Sequence, residues 1–297
     1  MEERFDMLSE RSRLLSQLID NVKAGRRPLG LSTALNSPVP LEIAGRFGYQ
    51  WAIIDQEHTL LTSESLIEQL RAAELSRTVP IVKVNDADPL LVRDALDAGA
   101  SGIQMPGTDT VEDVRAALAN MRYVLRGGTR GICPVQRSTN YFTFRYSGHD
   151  DWEERQLDFA DQALMMPTVE TVTAMRNLEE MLKIDECPIW HIGPMDLGQS
   201  LGLNHSDPTM ADVLFRTVRQ LAAKIHKAGK FVCYPLIPAP FPRQADGTAG
   251  APGAGKQDAI GQAISAIGVD MPYTVDSSCM GYGLSAMLNS RNASLVE

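Results

Sequence analysis

Short apolar segments alternate with amphipathic stretches along most of the chain. Apolar positions three or four residues apart are typical of a helix, whereas short apolar runs bounded by turn residues are typical of buried strands. The segments that predict strands are residues 29–33, 51–55, 81–84, 102–105, 164–167, 189–192, 231–234 and 269–274. Helical spacing marks residues 63–75, 90–98, 111–121, 172–182, 210–228 and 257–267, so helices separate nearly all of these strands.

Strands that alternate with helices predict a parallel sheet, because a parallel pair needs a crossover connection. Eight such units favour a closed (β/α)₈ barrel, the TIM barrel, over an open doubly wound sheet. Residues 4–24 also carry apolar side chains at helical spacing, so the segment 1–25 is predicted as a helix that precedes the barrel. We therefore expect residues 1–297 to form a single barrel domain.

Two long connections follow predicted strands at their carboxyl ends, where barrel enzymes build their active sites. Residues 123–150 are rich in arginine, glycine and aromatic side chains. Residues 235–256 contain five prolines and four glycines. Because this composition does not pack as a helix or a central strand, we predict a loop insertion over residues 236–256. We interpret it as a surface loop without a catalytic role.

Composition narrows the class of partner. The chain of 297 residues has 28 Lys plus Arg against 37 Asp plus Glu, a net charge of −9. Nucleic acids and anionic membranes bind basic surfaces, so neither is an expected partner. The four cysteines form no Cys-x-x-Cys pair, which disfavours a zinc or redox motif. Without a signal peptide or an apolar run of about 20 residues, the sequence predicts a cytoplasmic protein.

Titratable residues close the second predicted strand. The strand ends at Asp55 and is followed by Gln56, Glu57 and His58. A histidine at the mouth of a barrel can act as a general base, because its ordinary pKa lies near neutrality. A solvated surface loop would explain the same four residues, and the tetrad alone does not decide between the two interpretations.

Carboxylates also follow the fifth and sixth strands, at Glu170 and Asp196. Adjacent parallel strands lie about 5 Å apart, so two such carboxylates could share a divalent ion. A site with oxygen ligands alone favours Mg²⁺ or Mn²⁺ over a structural zinc. The turn at Gly193 and Pro194 would let backbone N–H groups approach an anionic ligand. Each acid alone could instead cap a helix.

Lys83 ends the third strand and Gln104 lies near the end of the fourth, so both could face the same mouth. A buried lysine raises the possibility of a Schiff-base mechanism. Nearby carboxylates and a metal would keep Lys83 protonated, which favours a charge-stabilising role instead. His191 lies inside the sixth strand and is interpreted as a packing histidine.

In this order and spacing, the motifs resemble the HpcH/HpaI family, the metal-dependent class II pyruvate aldolases. The elements Asp-x-Glu-His and Ile-Gly-Pro-x-Asp-Leu are the most specific of them. The resemblance covers roughly residues 28–235, and its matching segments are residues 48–58, 80–84, 88–89, 96–99, 128–131, 169–171 and 192–197.

The resemblance implies a (β/α)₈ barrel and an aldolase that forms or cleaves a C–C bond. Its substrates would be a 2-oxo acid and an aldehyde or acyl acceptor. A divalent cation, Mg²⁺, Mn²⁺ or Co²⁺, would bind Glu170 and Asp196, polarise the 2-oxo acid carbonyl and stabilise the enolate. The resemblance also implies a homo-oligomer, from dimer to hexamer, whose subunits exchange a C-terminal helix.

Roles for individual residues also come from the resemblance. His58 would be the base, acting through a metal-bound water, and Asp97 or Asp55 would tune it. Lys83 would contribute its charge to catalysis. The residues implied to line the 2-oxo acid site are Thr168, Gly193, Pro194, Met195 and Asp196.

Two departures from the family pattern qualify the expected specificity. Lys83 stands where family aldolases place an arginine, and lysine lacks the bidentate fork of a guanidinium. Thr168 stands where glutamine is common. The second hypothesis is therefore a biosynthetic condensing enzyme that joins a pyruvate or oxaloacetate enolate to an acyl or aldehyde acceptor. A non-catalytic relative is disfavoured, because His58, Glu170 and Asp196 are all present.

Overall fold

Eight parallel strands form a closed barrel in chain order, in a computed structural model that describes residues 7–85, 88–143, 151–204, 210–236 and 265–284. Each strand pairs with the next, and the last pairs with the first. The predicted (β/α)₈ barrel is confirmed. The strands are β1 (Gly30–Thr33), β2 (Trp51–Asp55), β3 (Val79–Lys83), β4 (Gly102–Met105), β5 (Leu164–Val169), β6 (Ile189–Ile192), β7 (Phe231–Pro235) and β8 (Met271–Val275).

Helices surround this barrel and connect its strands. Several begin at a threonine whose hydroxyl accepts a backbone N–H of the first turn, as at Thr62, Thr110 and Thr171. None of the helices within the described ranges is long and apolar enough to cross a membrane. They include α1 (Met7–Lys23), α2 (Val39–Arg46), α3 (Ser63–Leu75), α4 (Pro89–Asp97), α5 (Val111–Met121), α6 (Trp152–Gln162), α7 (Val172–Met181), α8 (Pro194–Ser200) and α9 (Met210–Lys227).

The described residues include most of the first long connection but little of the second. The first contains two short 3₁₀ segments, Val124–Arg126 and Arg137–Phe142, and α6 follows it. The sequence did not predict α6. The predicted loop 236–256 lies outside the described residues except for Leu236. Of the predicted helix 257–267, the described residues 265–267 are helical.

Side chains alternate between the inside and the outside of the barrel, as the two-residue period of a strand requires. On β2, Trp51 and Ile53 belong to the interior cluster, whereas Ala52 and Ile54 belong to the layer packed against the helices. The same alternation places Asp55, at the carboxyl end of β2, on the inner face. This alternation along each strand, the strand parity, therefore decides which polar side chains face the mouth.

Helix α1 closes the amino-terminal end of the barrel. Its residues Leu15, Leu18 and Val22 are buried in the same cluster as Trp51 and Val79, which are the first residues of β2 and β3. The predicted N-terminal helix is therefore present, and it acts as a plug. The opposite end, where the strands terminate, is left for the site.

Shortening a buried side chain of helix α1 should destabilise the barrel. We expect Leu18→Ala to lower the free energy of unfolding by about 2–5 kcal/mol, because it removes a fully buried side chain. Urea denaturation would measure this loss. Leu75→Ala is the matched control, since Leu75 is 83% exposed at the end of α3. Equal midpoints for the two variants would contradict the role assigned to α1.

Candidate active site

The turn after β2 is fixed by its own aspartate. One carboxylate oxygen of Asp55 accepts the backbone N–H groups of Glu57, at 2.8 Å, and His58, at 3.0 Å. The N–H of Gln56 donates to the carbonyl of Lys83 at 2.8 Å, which extends the pairing of β2 with β3. Asp55 therefore acts on the backbone of His58 and orients the turn that carries it.

Glu57 joins the lysine and the histidine of the mouth. Its carboxylate forms an ion pair with the Lys83 ammonium and lies 3.1 Å from His58 Nε2. Lys83 and Glu57 are largely buried, whereas the His58 side chain is 63% exposed. The largely buried ion pair of Lys83 and Glu57 thus contacts the His58 imidazole, whose exposed side is accessible to a ligand. Sequence analysis gave Glu57 no role, although its position between Asp55 and His58 was a usable signal.

Glu170 is a buried carboxylate at the end of β5, with a relative exposure of 8%. The N–H of Gly107 donates to its Oε1 at 3.0 Å. Burial raises the pKa of Glu170, and the Glu57 and Asp196 carboxylates raise it further, against the opposing effects of Gly107 and Lys83. This carboxylate therefore lies in an acidic cluster in which Lys83 is the nearby cation that acts on it.

Gly193 allows β6 to approach Glu170 closely. A Cβ at this position would lie 2.9 Å from Glu170 Oε2, closer than real Cβ contacts, and 3.1 Å from Glu170 Cβ, which is tighter than most of them. The sequence predicted that Gly193 admits a ligand to the backbone. The structure adds that Gly193 makes room for the carboxylate itself.

The loop after β4 is anchored to β5. The Thr108 hydroxyl accepts the N–H of Thr168 at 3.1 Å and donates to the Thr168 carbonyl at 3.2 Å. The Thr171 hydroxyl donates to Asp109 Oδ1 at 2.5 Å. These bonds hold the loop in the position from which Gly107 contacts Glu170. Sequence analysis missed the loop, because its contribution is made by a backbone N–H.

Met195 and Asp196 lie in the first turn of α8 and are exposed at the mouth. Asp196 is close enough to act electrostatically on Glu170. No group of three or more His, Cys, Asp and Glu side chains suited to a metal occurs in the ranges that the structure describes. Two carboxylates, completed by water and ligand oxygens, are nonetheless a common way to hold Mg²⁺. A buried carboxylate beside two others fits such a cation.

Within a single chain, Asp97 does not contact His58. It is the last residue of α4 and forms an ion pair with Arg130, with 2.5 Å between Oδ1 and Nη2. Helix α4 runs back from the mouth after β3, so its last residue lies toward the opposite end of the barrel. Of the two acids expected to tune His58, the structure brings only Asp55 into contact with it, through the backbone N–H of His58.

His191 is buried on the inner face of β6, as expected of a packing histidine, but its neighbours are polar. Its Nε2 lies 2.9 Å from the hydroxyl of Tyr273 on β8. Burial and the nearby Lys83 ammonium lower the pKa of His191 to about 3, so the imidazole is neutral. Sequence analysis did not single out Tyr273, although its place on the inner face of β8 follows from strand parity.

The fold and the site together define an enzyme of the TIM-barrel class, with a histidine, a lysine and a carboxylate cluster at the carboxyl ends of the strands. The particular family follows from comparison with known proteins. The chain belongs to the HpcH/HpaI aldolase/citrate lyase family, whose model matches residues 29–234.

Similar proteins narrow the class of reaction. The chain is 30% identical to 2-keto-3-deoxy-L-rhamnonate aldolase of Klebsiella pneumoniae over 69% of this chain and 73% of that protein. A Burkholderia cenocepacia family member superposes with a TM-score of 0.70 at 23% identity, covering 94% and 97% of the two chains. Macrophomate synthase superposes at 0.72 and 19% identity, covering 95% and 89%. The protein is a carbon–carbon lyase of the aldolase type.

The neutral state of His191 should make folding sensitive to acid. The unfolded chain takes up a proton near pH 6.5 and the folded chain only near pH 3, so stability present above pH 6.5 is lost as the pH falls. The loss should approach about 1.4 kcal/mol per pH unit. In urea denaturation from pH 7.5 to 4.5, His191→Gln should show a shallower decline than the wild type. Parallel declines would refute this account.

Proposed function

We propose that this protein is a metal-dependent aldolase that forms or cleaves a C–C bond through the enolate of a 2-oxo acid, with His58 as the base. The observation that carries the proposal is the buried Glu170 carboxylate, which lies beside Glu57 and Asp196. Such a cluster is costly to bury without a compensating cation. The exposed imidazole of His58 lies against the same cluster.

Glu170 and Asp196 would hold the divalent cation, Mg²⁺, Mn²⁺ or Co²⁺. The donor set consists of carboxylate oxygens, which suits hard divalent ions. When bound, the cation would supply Lewis-acid polarisation of the 2-oxo acid carbonyl. Gly107 would hold one oxygen of Glu170, leaving the other for the cation.

The protein's own groups would handle the proton and the substrate. The His58 imidazole would take a proton from the carbon next to the carbonyl at Nδ1, because Nε2 faces the Glu57 carboxylate and donates its hydrogen to it. Asp55 would fix the turn and Glu57 would orient the ring. Lys83 would place a positive charge near the developing enolate. The substrate-lining residues proposed here are Thr168, Gly193, Pro194, Met195 and Asp196.

The ion pair of Lys83 with Glu57 argues against a Schiff base. The ion pair engages the Lys83 nitrogen with a carboxylate, which suits a charge-stabilising role better than nucleophilic attack on a carbonyl. A condensing enzyme that joins the same enolate to an acyl or aldehyde acceptor remains the second candidate, since macrophomate synthase shares the fold. The cleavage reaction is favoured by the likeness to an aldolase that covers most of both chains.

The protein is further proposed to work in the cytoplasm as a homo-oligomer. Val39 and Ile43 of α2, together with Phe47 just after it, form an exposed apolar stripe. Residues 276–284, helical after β8, are largely exposed as well and carry the apolar Met280 and Leu284. A second copy whose C-terminal helix packs on α2 would bury both surfaces.

Exchange of the methyl protons of pyruvate with D₂O tests the base. With Mn²⁺ present, His58→Ala should slow exchange by about 100-fold or more, because the proton acceptor is removed. Its Mn²⁺ affinity should be retained, whereas Glu170→Gln should lose Mn²⁺ binding in calorimetry. His226→Gln, a histidine change in α9, is the control. Unchanged exchange in His58→Ala would remove His58 as the base.

Borohydride reduction separates the two roles considered for Lys83. After incubation with pyruvate and borohydride, mass spectrometry should find an unmodified Lys83 peptide, because the metal-enolate route forms no imine. A trapped pyruvate adduct on Lys83 would overturn the proposed mechanism. The Lys83→Arg variant, treated in the same way, should likewise show no pyruvate adduct at position 83.

Light scattering tests the assembly. The wild type should run as a dimer or a larger oligomer, and Ile43→Glu should shift it toward the monomer by placing a charge in the apolar stripe. Leu125→Glu is the control, since Leu125 is exposed outside the stripe. A wild type that stays monomeric at micromolar concentration would contradict the proposed assembly.

A further inference from the structure

The loop after β4 is held to β5 by a side chain in place of a backbone. Backbone pairing of β4 with β5 ends where Met105 lies level with Pro167. The next residue of the loop, Pro106, has no N–H group with which to continue the ladder. Beyond it, the Thr108 hydroxyl accepts the N–H of Thr168 and donates to the carbonyl of the same residue. The chain can therefore turn away from β4 while it stays attached to β5.

The same loop is attached again just past Glu170. Thr171, the next residue, donates its hydroxyl to Asp109 Oδ1, and the Asn177 side chain donates to the Asp109 carbonyl at 2.9 Å. Because Thr171 also caps the first turn of α7, these bonds tie Asp109 to the start of that helix. We call residues 107–109 the β4–α5 turn. It is bonded to the residue two positions before Glu170 and to the residue one position after it.

Gly107 presents its N–H to Glu170 from a left-handed backbone conformation. Its φ is +62°, and its nitrogen lies 3.0 Å from Glu170 Oε1. A Cβ at Gly107 would meet no atom of the described residues within 4 Å, so the conformation, and not a lack of space, calls for glycine. The turn, fixed by Thr108 and Asp109, thus holds a hydrogen-bond donor against one particular oxygen of Glu170.

The two carboxylate oxygens of Glu170 therefore differ. Oε1 receives the Gly107 N–H, whereas Oε2 faces Gly193, the residue before α8. Asp196, the second proposed ligand of the cation, lies in the first turn of α8. A cation held by both acids would thus find Oε2 free, because Oε1 is already hydrogen-bonded.

The number of free carboxylate oxygens bears on which cation is bound. Ca²⁺ takes about six to eight oxygen ligands and can chelate both oxygens of one carboxylate, whereas Mg²⁺ demands an octahedral set of about six. Mg²⁺ also gives up its waters reluctantly, so a carboxylate that is free to chelate favours Ca²⁺. Restricting Glu170 to one free oxygen removes this advantage of Ca²⁺.

We propose that the β4–α5 turn restricts Glu170 to one free oxygen and so makes the cation site discriminate against Ca²⁺ in favour of Mg²⁺ and Mn²⁺. The inference rests on the proposed function, which supplies Glu170 and Asp196 as ligands. It adds a cation selectivity and assigns it to a segment outside the ligand set. Thr108 and Asp109 are positioning residues in this account, because they act on Glu170 through its neighbours in the chain.

Calorimetry on the metal-free full chain tests the discrimination. In separate titrations, the wild type should bind Mg²⁺ at least as tightly as Ca²⁺, and Mn²⁺ serves as the reference ion for the site. The measured quantity is the ratio of the Mg²⁺ and Ca²⁺ affinities. A variant that merely folds less well would lower both affinities together and leave this ratio unchanged.

Variants assign the ratio to the β4–α5 turn. Thr108→Val keeps the shape of the side chain but loses both bonds to Thr168, and Asp109→Ala loses the acceptor for the Thr171 hydroxyl. Each should shift the ratio toward Ca²⁺ by about tenfold, the lower end of the effect expected when a partner of a metal ligand is removed. Thr108→Ser and Asp109→Asn retain these hydrogen bonds and should retain the wild-type ratio.

Thr129→Val is the matched control for Thr108→Val. The Thr129 hydroxyl also links two segments, since it lies 3.0 Å from Asn120 Oδ1 and 3.4 Å from the carbonyl oxygen of Ala119. These contacts are on the exposed surface near the last residues of α5 and do not involve Glu170 or its neighbours. The ratio of the two affinities should therefore equal that of the wild type.

The outcomes separate this inference from the proposed function. A wild type that binds Mn²⁺ but prefers Ca²⁺ to Mg²⁺ would overturn the discrimination and leave the aldolase proposal intact. An unchanged ratio in both Thr108→Val and Asp109→Ala would overturn the assignment of the selectivity to the turn. A failure of all three cations to bind would overturn both proposals.

Discussion

The parallel register of a closed barrel is the constraint on which the site depends. Closure leaves each strand paired on both sides, so a shift of one strand by a residue would turn its inward side chains outward. With the observed register, Asp55, Lys83 and Gln104 share one level on three adjacent strands. The mouth is thus assembled from residues far apart in sequence by hydrogen bonds that involve none of their side chains.

Acidic and basic side chains are unevenly distributed at the mouth of the barrel. Glu57 contacts a lysine on one side and a histidine on the other, and Glu170 is buried against a glycine whose missing Cβ makes room for it. The acidic side chains nevertheless outnumber the nearby lysine. This excess is the reason a cation is proposed for the mouth, even though the net charge of the whole chain says little about the chemistry. Local arrangement, rather than overall charge, determines what binds.

Sequence patterns predicted the barrel because strand and helix periodicities are local. They also predicted Glu170 and Asp196 at the carboxyl ends of strands, which follows from counting residues. The partner of a side chain is not local, and so the ion pairs of Glu57 with Lys83 and of Asp97 with Arg130 were not foreseen. Helix α6 was missed because its first turn follows a long irregular connection. The hydrogen bond of His191 to Tyr273 spans β6 and β8, which no short motif encodes.

The plug formed by α1 has a consequence for the order of folding. This helix precedes every strand of the barrel in the chain, yet the surface it covers is built from the beginnings of strands spread over most of the chain, ending with Met271 of β8. Its apolar face therefore has no complete partner until the last strand is made. Contacts between such distant segments form slowly. During synthesis, the nascent chain would carry an exposed apolar helix ahead of the barrel strands, and docking of that helix would mark the moment at which the barrel closes.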